Sequence, residues 1–343
     1  MNKYYIGIMT GTSADAIDGC IVSFNNDFNL IASDSIDHKN GYKENYEDCI
    51  AQGLKEVHQS IKLEKLEADL NEKSLELIEN LLTKNKLSYK DVVAICFSGQ
   101  TVFHSKEKSY QIGNPQIIAD SSNIRVISDF RNFDIAHGGS GAPLIPEFHK
   151  YLFSENKKEK IIFNIGGISN GTYLKGNEIF LASDVGPGNC LIDKIAKKEL
   201  GLPFDNDGDS ARKGELHHTF LDLLSKRSDD INSGYPRADE KTSYYQLLDF
   251  DAFLKMNPND VLRYLTELTA EKIKDFFDYC DQPEEVIFHG GGTKNSFLME
   301  LLGEKLKRPI MTTDNIIPSK FVEAAAFAYL GYKNKGKVFD AKL

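Results

Sequence analysis

No stretch of this 343-residue chain is apolar for anything near the roughly 20 residues that cross a bilayer. Its opening, Met1 to Met9, has one lysine and a short apolar run, without the longer apolar core and small-residue cleavage site of a secretion signal. The five cysteines (Cys20, Cys49, Cys96, Cys190 and Cys280) are odd in number, far apart and never spaced C-x-x-C. That pattern excludes a disulfide framework and a zinc site and points to a reducing compartment. Basic residues are in deficit, with 41 Lys and Arg against 51 Asp and Glu, a net charge of −10. This is the wrong sign for a general nucleic-acid binder. There is no low-complexity segment. What remains is a cytoplasmic globular protein, expected to bind neither nucleic acid nor membrane.

Hydrophobic residues make up 41% and charged residues 27%, ordinary values for a folded domain. The length exceeds what one core serves, so two domains are expected. Tyr4 to Met9, Gly19 to Phe24 and Leu30 to Ser35 read as a strand meander whose first turn is Thr10 to Asp15. Helices are expected around Glu44 to His58 and Leu66 to Thr83, and a buried strand at Asp91 to Phe97. The pattern then repeats. Arg125 to Ser128 and Ile161 to Ile165 are strands, Gly166 to Gly171 is a turn, and Thr172 to Leu174 and Ile179 to Ser183 resume the strand pattern. Apolar residues at helical spacing mark Asp260 to Tyr279, with Pro258 near its start. Val286 to His289 is a strand running into glycines, Asn295 to Leu306 a helix. The last helix, Ser319 to Leu330, carries a small-residue stretch, Ala324 to Ala326, that permits close packing. Meanders followed by helices, used twice, fit an α/β protein of two similar halves. The domain boundaries are expected at 1–125 plus 317–343 and at 126–316.

Several turns carry the side chains that chemistry needs. Gly11, Thr12 and Ser13 at a hairpin tip can surround phosphate oxygens with amides and hydroxyls, and Asp15 and Asp18 could hold a magnesium ion. A plain polar turn is the alternative, and the spacing is not a Walker A motif because no Gly-Lys-Ser/Thr follows. Gly166, Gly167, Ser169 and Asn170 repeat the device. Gly290, Gly291, Gly292 and Asn295 follow a buried strand and open a helix, so a flat ring could approach the backbone there; a ligand-free strand-to-helix turn is the alternative. Asp184, at a strand end before Gly186-Pro187-Gly188, suits a general base or a mere turn cap. His137 to Pro146, dense in glycine and proline, could contact substrate or hinge the domains, and Arg131 and Asp134 could form a local ion pair. His104, His137 and His149 lack metal-ligand spacing. Asp205, Asp207 and Asp209 alternate as in a calcium loop, but no glutamate closes the twelve-residue pattern.

Taken together and in order, Gly7 to Asp18, Gly99 to His104, Asp129 to Arg131, Gly138 to His149, Asn164 to Asn170, Asp184 to Asn189, Gly290 to Asn295 and Val322 to Ala328 resemble the anhydro-N-acetylmuramic acid kinase family. The likeness runs from residue 4 to about 332. It implies two RNase H-like domains of the actin-like ATPase type flanking a nucleotide and sugar cleft, with ATP and Mg2+ bound. It also implies the hydrolytic opening of a 1,6-anhydro sugar with phosphorylation of O6, a step of cell-wall recycling, and a homodimer. Asp184 then matches the general base, Glu323 a glutamate near the sugar, and Gly11 to Asp18 the ATP-binding stretch. Gln100, Arg131, Gly141 and Pro143, within those blocks, and Asp134, just after Arg131, are expected on the sugar side.

Three departures stand out. Ala16 replaces the glycine usual after Asp15, which predicts a locally different turn. Ser98 stands where the family has histidine. Lys241 to Tyr245 occupies the place of a Lys-Ser-Thr-Gly-Arg-Glu block whose arginine and glutamate have no counterpart. These departures keep open a related kinase for another amino sugar or sugar acid, and a non-catalytic nucleotide-binding regulator.

Overall fold

The computed structural model describes residues 3–25, 27–51 and 61–342. The C-terminal half of the helix expected at 44–58 lies outside them. The chain forms two compact units, Met1–Phe148 with Phe321–Leu343, and His149–Lys320. Among the described residues no helix is long and apolar enough to cross a membrane.

The first unit is built on a six-stranded sheet. β1 (Tyr4–Thr10), β2 (Ala16–Ser23) and β3 (Asn29–Asp37) form an antiparallel meander. β4 (Val92–Phe97) and β7 (Val126–Ser128) extend it in parallel, and β13 (Lys337–Phe339) closes it antiparallel. A separate hairpin joins β5 (Gln100–His104) and β6 (Ser109–Ile112). Ile6, Ile8, Ile17, Ile21 and Ile95 are all fully buried, the β-branched filling a covered sheet requires. α1 (Tyr42–Ala51) and α2 (Ile61–Lys84) join that core; α2 presents Leu63, Leu66, Leu70, Leu77 and Leu81 at helical spacing. Against β1 lies α11 (Val322–Tyr332), whose Ala324, Ala325 and Ala326 are fully buried. The approach depends on Gly7, where a Cβ would sit 1.9 Å from the Ala324 carbonyl oxygen.

The expected boundary at residue 125 is too early. β7 pairs in parallel with β4, and Phe130, in α4 (Phe130–Ala136), packs with Ala94, Cys96 and Phe327. Residues 126–148 therefore belong to the first unit, which the chain re-enters at Phe321 rather than at 317.

The second unit repeats the strand order. β8 (Glu159–Ile165), β9 (Ile168–Lys175) and β10 (Glu178–Pro187) form the meander, and β11 (Glu285–His289) and β12 (Ile310–Thr312) add in parallel beside β8. The sheet reads β10-β9-β8-β11-β12, matching β3-β2-β1-β4-β7 of the first. Alternate residues face opposite sides. Ile161, Phe163, Val286 and Phe288 join the large core with α9 (Pro258–Tyr279) and α10 (Ser296–Leu306). Ile162, Leu174 and Ile287 pack with Phe153 of α5 (Pro146–Phe153). Pro258 at the first turn of α9 and the Asn257 side chain accepting from the Asn259 amide start that helix two residues before Asp260.

Candidate active site

In the second unit, polar residues line up across four strands. His289 of β11 stands opposite Asn164 of β8, Asn164 opposite Asn170 of β9, and Asn170 opposite Asp184 of β10. Residues paired in register share a face, so the apolar layer of Ile287, Ile162 and Leu174 ends in a row of amide, imidazole and carboxylate. β10 continues three residues past Asp184, with a bulge between Asp184 and Gly186. The acid expected at a strand end is thus inside the strand, at an irregularity of the kind that re-aims side chains.

Asp184 is tied down by a segment distant in sequence. Its N–H donates to the Arg237 carbonyl at 3.1 Å, and its Oδ2 accepts the Asp239 N–H at 2.8 Å. Asp239 is itself a buried carboxylate that accepts from Tyr244 Oη at 2.6 Å and from Arg237 Nε at 3.2 Å. Burial, and next the bond to Asp239, push the Tyr244 hydroxyl well above its ordinary pKa, so it stays a donor.

Two glycine turns adjoin this row. Gly166 and Gly167 join β8 to β9, and their carbonyls accept the amides of Gly188, Asn189 and Cys190 at 2.8–3.1 Å. Gly188 permits this, since a Cβ there would lie 2.3 Å from the Gly166 oxygen. A Cβ at Gly167 would meet nothing nearer than Cys190 at 3.9 Å, so that turn is open on its own outer side. Gly290 has φ +90°, and a Cβ on it would fall 2.2 Å from Asn164 Oδ1; one on Gly292 would fall 2.2 Å from Ile165 Cγ2. These two glycines seat the second turn on the end of β8. Gly291 is exposed, with open space beside it.

The first unit holds its own turn. Gly11 to Ala14 closes with the Ala14 N–H donating to the Gly11 carbonyl at 3.1 Å, and Thr12 and Ser13 are exposed. The left-handed residue is Ala14, at φ +52°; Ala16 begins β2, opposite Asp37. The glycine-to-alanine departure therefore falls on an extended position that any residue accepts. Gln100 is fully buried behind the turn, donating from Nε2 to the Gly11 carbonyl at 3.3 Å and accepting from Tyr42 Oη at 2.5 Å. Thr10 Oγ1 lies 3.2 Å from His38 Nε2, and His38 stacks on Tyr42 with ring centroids 3.8 Å apart. Burial lowers the His38 pKa to about 4, which keeps the ring neutral. Asp15 is exposed and pairs with Lys43 at 2.8 Å.

The profile of the anhydro-N-acetylmuramic acid kinase family matches residues 3–338. The chain belongs to this family. Anhydro-N-acetylmuramic acid kinase of Idiomarina loihiensis is 36% identical over 348 residues, covering 97% of this chain and 92% of its own length. The enzyme of the same name from Gamma-proteobacterium EBAC31A08 is 34% identical over 345 residues, at 96% and 92% coverage. Among solved structures, the activator of 2-hydroxyisocaproyl-CoA dehydratase from Clostridium difficile with bound ADPNP superposes with a TM-score of 0.53. It is 12% identical and covers 97% of this chain and 95% of its own. That likeness bears on the fold alone, and it agrees with the two-domain actin-like ATPase fold that the family resemblance implied.

Family membership makes the chain an ATP-dependent sugar kinase and sets the placements above in order. Within the second unit, Asp184, Asn170, Gly166, Gly167 and the Gly290–Gly292 turn are gathered around one end of the sheet. Ser169 and Asn295 face inward instead: Ser169 is fully buried, its hydroxyl close under Gly188, and the Asn295 side chain accepts the Leu298 N–H at 2.9 Å and caps α10. Within the first unit, Arg131 donates to the Gly141 carbonyl at 3.0 Å, and Asp134 accepts the Gly141 N–H at 2.8 Å. Both residues thus hold the glycine loop that leads to Pro143. Glu323 sits in the first turn of α11. Of the three aspartates at 205–209, Asp205 accepts the Ser210 and Ala211 amides at 2.9 Å and Asp207 Oδ1 accepts the Ser296 amide at 3.2 Å. Asn164 and Tyr244 lay in segments the sequence singled out without a role of their own, and Arg237 and Asp239 had no sequence signal at all. Only the pairing of β8 with β9 and the fold-back of 235–239 onto β10 bring them to Asp184.

Proposed function

We propose that the chain opens 1,6-anhydro-N-acetylmuramic acid with water and transfers the ATP γ-phosphoryl group to O6. Asp184 takes a proton from water as the water oxygen bonds to the anomeric carbon. The bond from that carbon to O6 breaks, and O6 bonds to phosphorus as the phosphorus–ADP bond breaks. The products are N-acetylmuramic acid 6-phosphate and ADP. The observation that carries this reading is the Asp184 carboxylate, held on one oxygen by the Asp239 amide in a row with Asn170 and Asn164. A carboxylate fixed in that way suits general-base work.

The open turns at Gly11–Ser13, Gly166–Gly167 and Gly291 supply backbone N–H groups for the phosphates and room for the base, and Glu323 with the Gly141–Pro143 loop supports the sugar. Among the described residues no three His, Cys, Asp or Glu side chains gather as a cation cage. Mg2+ is ordinarily held by one or two carboxylates together with phosphate oxygens, and Asp15 and Asp18 offer two carboxylates in and just after the turn between β1 and β2. Asp18, with Asp15, would hold it, and the ion would neutralise charge on the transferring phosphoryl group. A cytoplasmic location, a role in peptidoglycan recycling and a homodimer complete the reading.

The test is ADP release from Mg-ATP and the anhydro sugar, with mass analysis of the product. A product heavier by one water and one phosphoryl group, absent with Asp184→Asn, is expected. Phosphorylation without addition of water, or full activity of Asp184→Asn, would overturn the assignment of Asp184 as the base for water.

A further inference from the structure

Six residues around Asp184, namely Ser183, Val185, Asn232, Arg237, Asp239 and Tyr244, spend polar groups on holding it and one another. We propose that Arg237, Asp239 and Tyr244 are positioning residues, a latch that fixes the Asp184 carboxylate; the proposal rests on Asp184 being the general base. The latch is built in three steps. First, the chain at 237 is laid along β10: the Arg237 N–H donates to Ser183 Oγ at 2.9 Å, and its carbonyl accepts the Asp184 N–H at 3.1 Å. Second, the Arg237 guanidinium bridges that segment and the strand. It donates from Nε to Asp239 at 3.2 Å, from Nη1 to the Asn232 carbonyl at 3.1 Å, and from Nη2 to the carbonyl of Val185, the residue after Asp184. Third, the Asp239 carboxylate, gripped by Arg237 and Tyr244, sets the orientation of its own N–H, which meets Asp184 Oδ2 at 2.8 Å.

Gly186 fits the same scheme. Its φ is +152°, and a Cβ there would lie 3.0 Å from the Lys272 stem and 3.5 Å from Arg237 Nη2. The bulge at 184–186 and the guanidinium above it occupy space that a side chain would contest.

The ion pair at the centre is costly by itself. The side chains of Arg237 and Asp239 are 6% and 0% exposed, and burying such a pair gives little or no net stability over an apolar replacement. Its bonds converge instead on one carboxylate. An N–H donated to Oδ2 favours the ionised form and fixes the plane of the carboxylate, the state and geometry a general base requires.

The experiment compares Asp239→Ala, Asp239→Asn, Arg237→Ala and Tyr244→Phe in the full chain, with Asp184→Asn alongside. It reads kcat, both KM values, the pH dependence of kcat/KM and thermal melting. Asp239→Ala and Arg237→Ala should lower kcat by about 10- to 100-fold and move the acid limb up by about one pH unit, leaving the ATP KM within about twofold. Asp239→Asn, which still accepts from Tyr244, should recover much of kcat. Unchanged kcat and acid limb in folded Ala variants would overturn the latch. Should both Ala variants fail to fold, Tyr244→Phe decides: a fall of about threefold or more with a shifted limb supports the latch, and wild-type kcat and limb refute it. Activity retained by Asp184→Asn would instead sink the base assignment. A dead Asp184→Asn beside normal latch variants would leave the base in place and remove the latch alone.

Discussion

The Nε2 atoms of His149 and His289 lie 2.9 Å apart, with both imidazoles buried and the Nδ1 of His149 2.9 Å from Thr172 Oγ1. One proton serves the gap between the two Nε2 atoms. A second would set two donors face to face in a desolvated site. Burial holds His149 well below the ordinary histidine range, the proximity of His289 adding to it, and burial brings His289 to about 3. Both rings are therefore neutral in the fold, while the unfolded chain takes up protons below about pH 6.5.

The sign follows from proton uptake. The unfolded state binds more protons as pH falls through 6.5, so the stability present above that pH is lost on acidification, down to the folded values. Each fully shifted histidine removes roughly 2 kcal/mol of stability between pH 7 and pH 5. Thermal melting from pH 8 to pH 5 should decline steeply below pH 6.5, and His289→Gln should flatten the decline while lowering stability at pH 8. A melting curve equally pH-dependent in the variant would refute a role for the pair.

That pair also marks what one sequence can and cannot disclose. The two meanders were legible because period-2 apolar patterns and glycine turns are local signals, and α9 because Val261, Leu262, Leu265 and Leu268 recur at helical spacing. Asp184 was legible because its neighbours Gly186, Pro187 and Gly188 are unusual in a strand. His149 and His289, 140 residues apart, meet only after β11 has paired with β8 and α5 has covered the sheet. Arg237 and Asp239 read as an ordinary charged loop because their meaning depends on the edge of β10. Gln100 and Asn295 belonged to recognisable blocks, yet a block does not tell which member faces the ligand and which faces the core. The β5–β6 hairpin was hidden for a related reason. Its residues are a mixed polar run whose pairing is with each other, outside the main sheets.

Glycines of the two turns should separate by what a side chain would meet. Gly167→Val finds no heavy atom nearer than 3.9 Å to its Cβ, so folding should survive while nucleotide affinity falls by about tenfold or more through crowding at the phosphates. Gly292→Ala would thrust its Cβ to 2.2 Å from Ile165 and should destabilise by about 1–3 kcal/mol. Nucleotide titration and denaturant unfolding of both variants check the contrast. Unaltered nucleotide affinity in Gly167→Val would remove that turn from the binding site.

Gly7 supports a prediction about stability alone. Its missing Cβ lets the backbone of α11 rest against β1, and the clash in an alanine variant is with a carbonyl oxygen at 1.9 Å rather than with a flexible side chain. The helix must shift as a body, at a cost of about 3 kcal/mol or more. Glu323 is on that helix, so Gly7→Ala should lower both the denaturation midpoint and kcat. A variant as stable as the parent would show that the α11–β1 contact relaxes freely.

Gln100 offers the sharpest separation between two roles. Its block suggests a sugar contact, but its side chain is fully buried, with Nε2 on the Gly11 carbonyl and Oε1 on Tyr42 Oη. Replacing it by leucine keeps the volume and strands a buried hydroxyl, at a cost of about 1–3 kcal/mol. The Gly11 turn would lose its anchor from below, while Thr10 and His38 still hold the strand that enters it. A group that positions a phosphate turn should act on the nucleotide. Gln100→Leu should therefore raise the KM for ATP by roughly tenfold and leave the KM for the sugar within about twofold. The reverse pattern, a raised sugar KM with an unchanged ATP KM, would return Gln100 to the sugar side and imply that its bond to Gly11 is exchanged when the sugar binds.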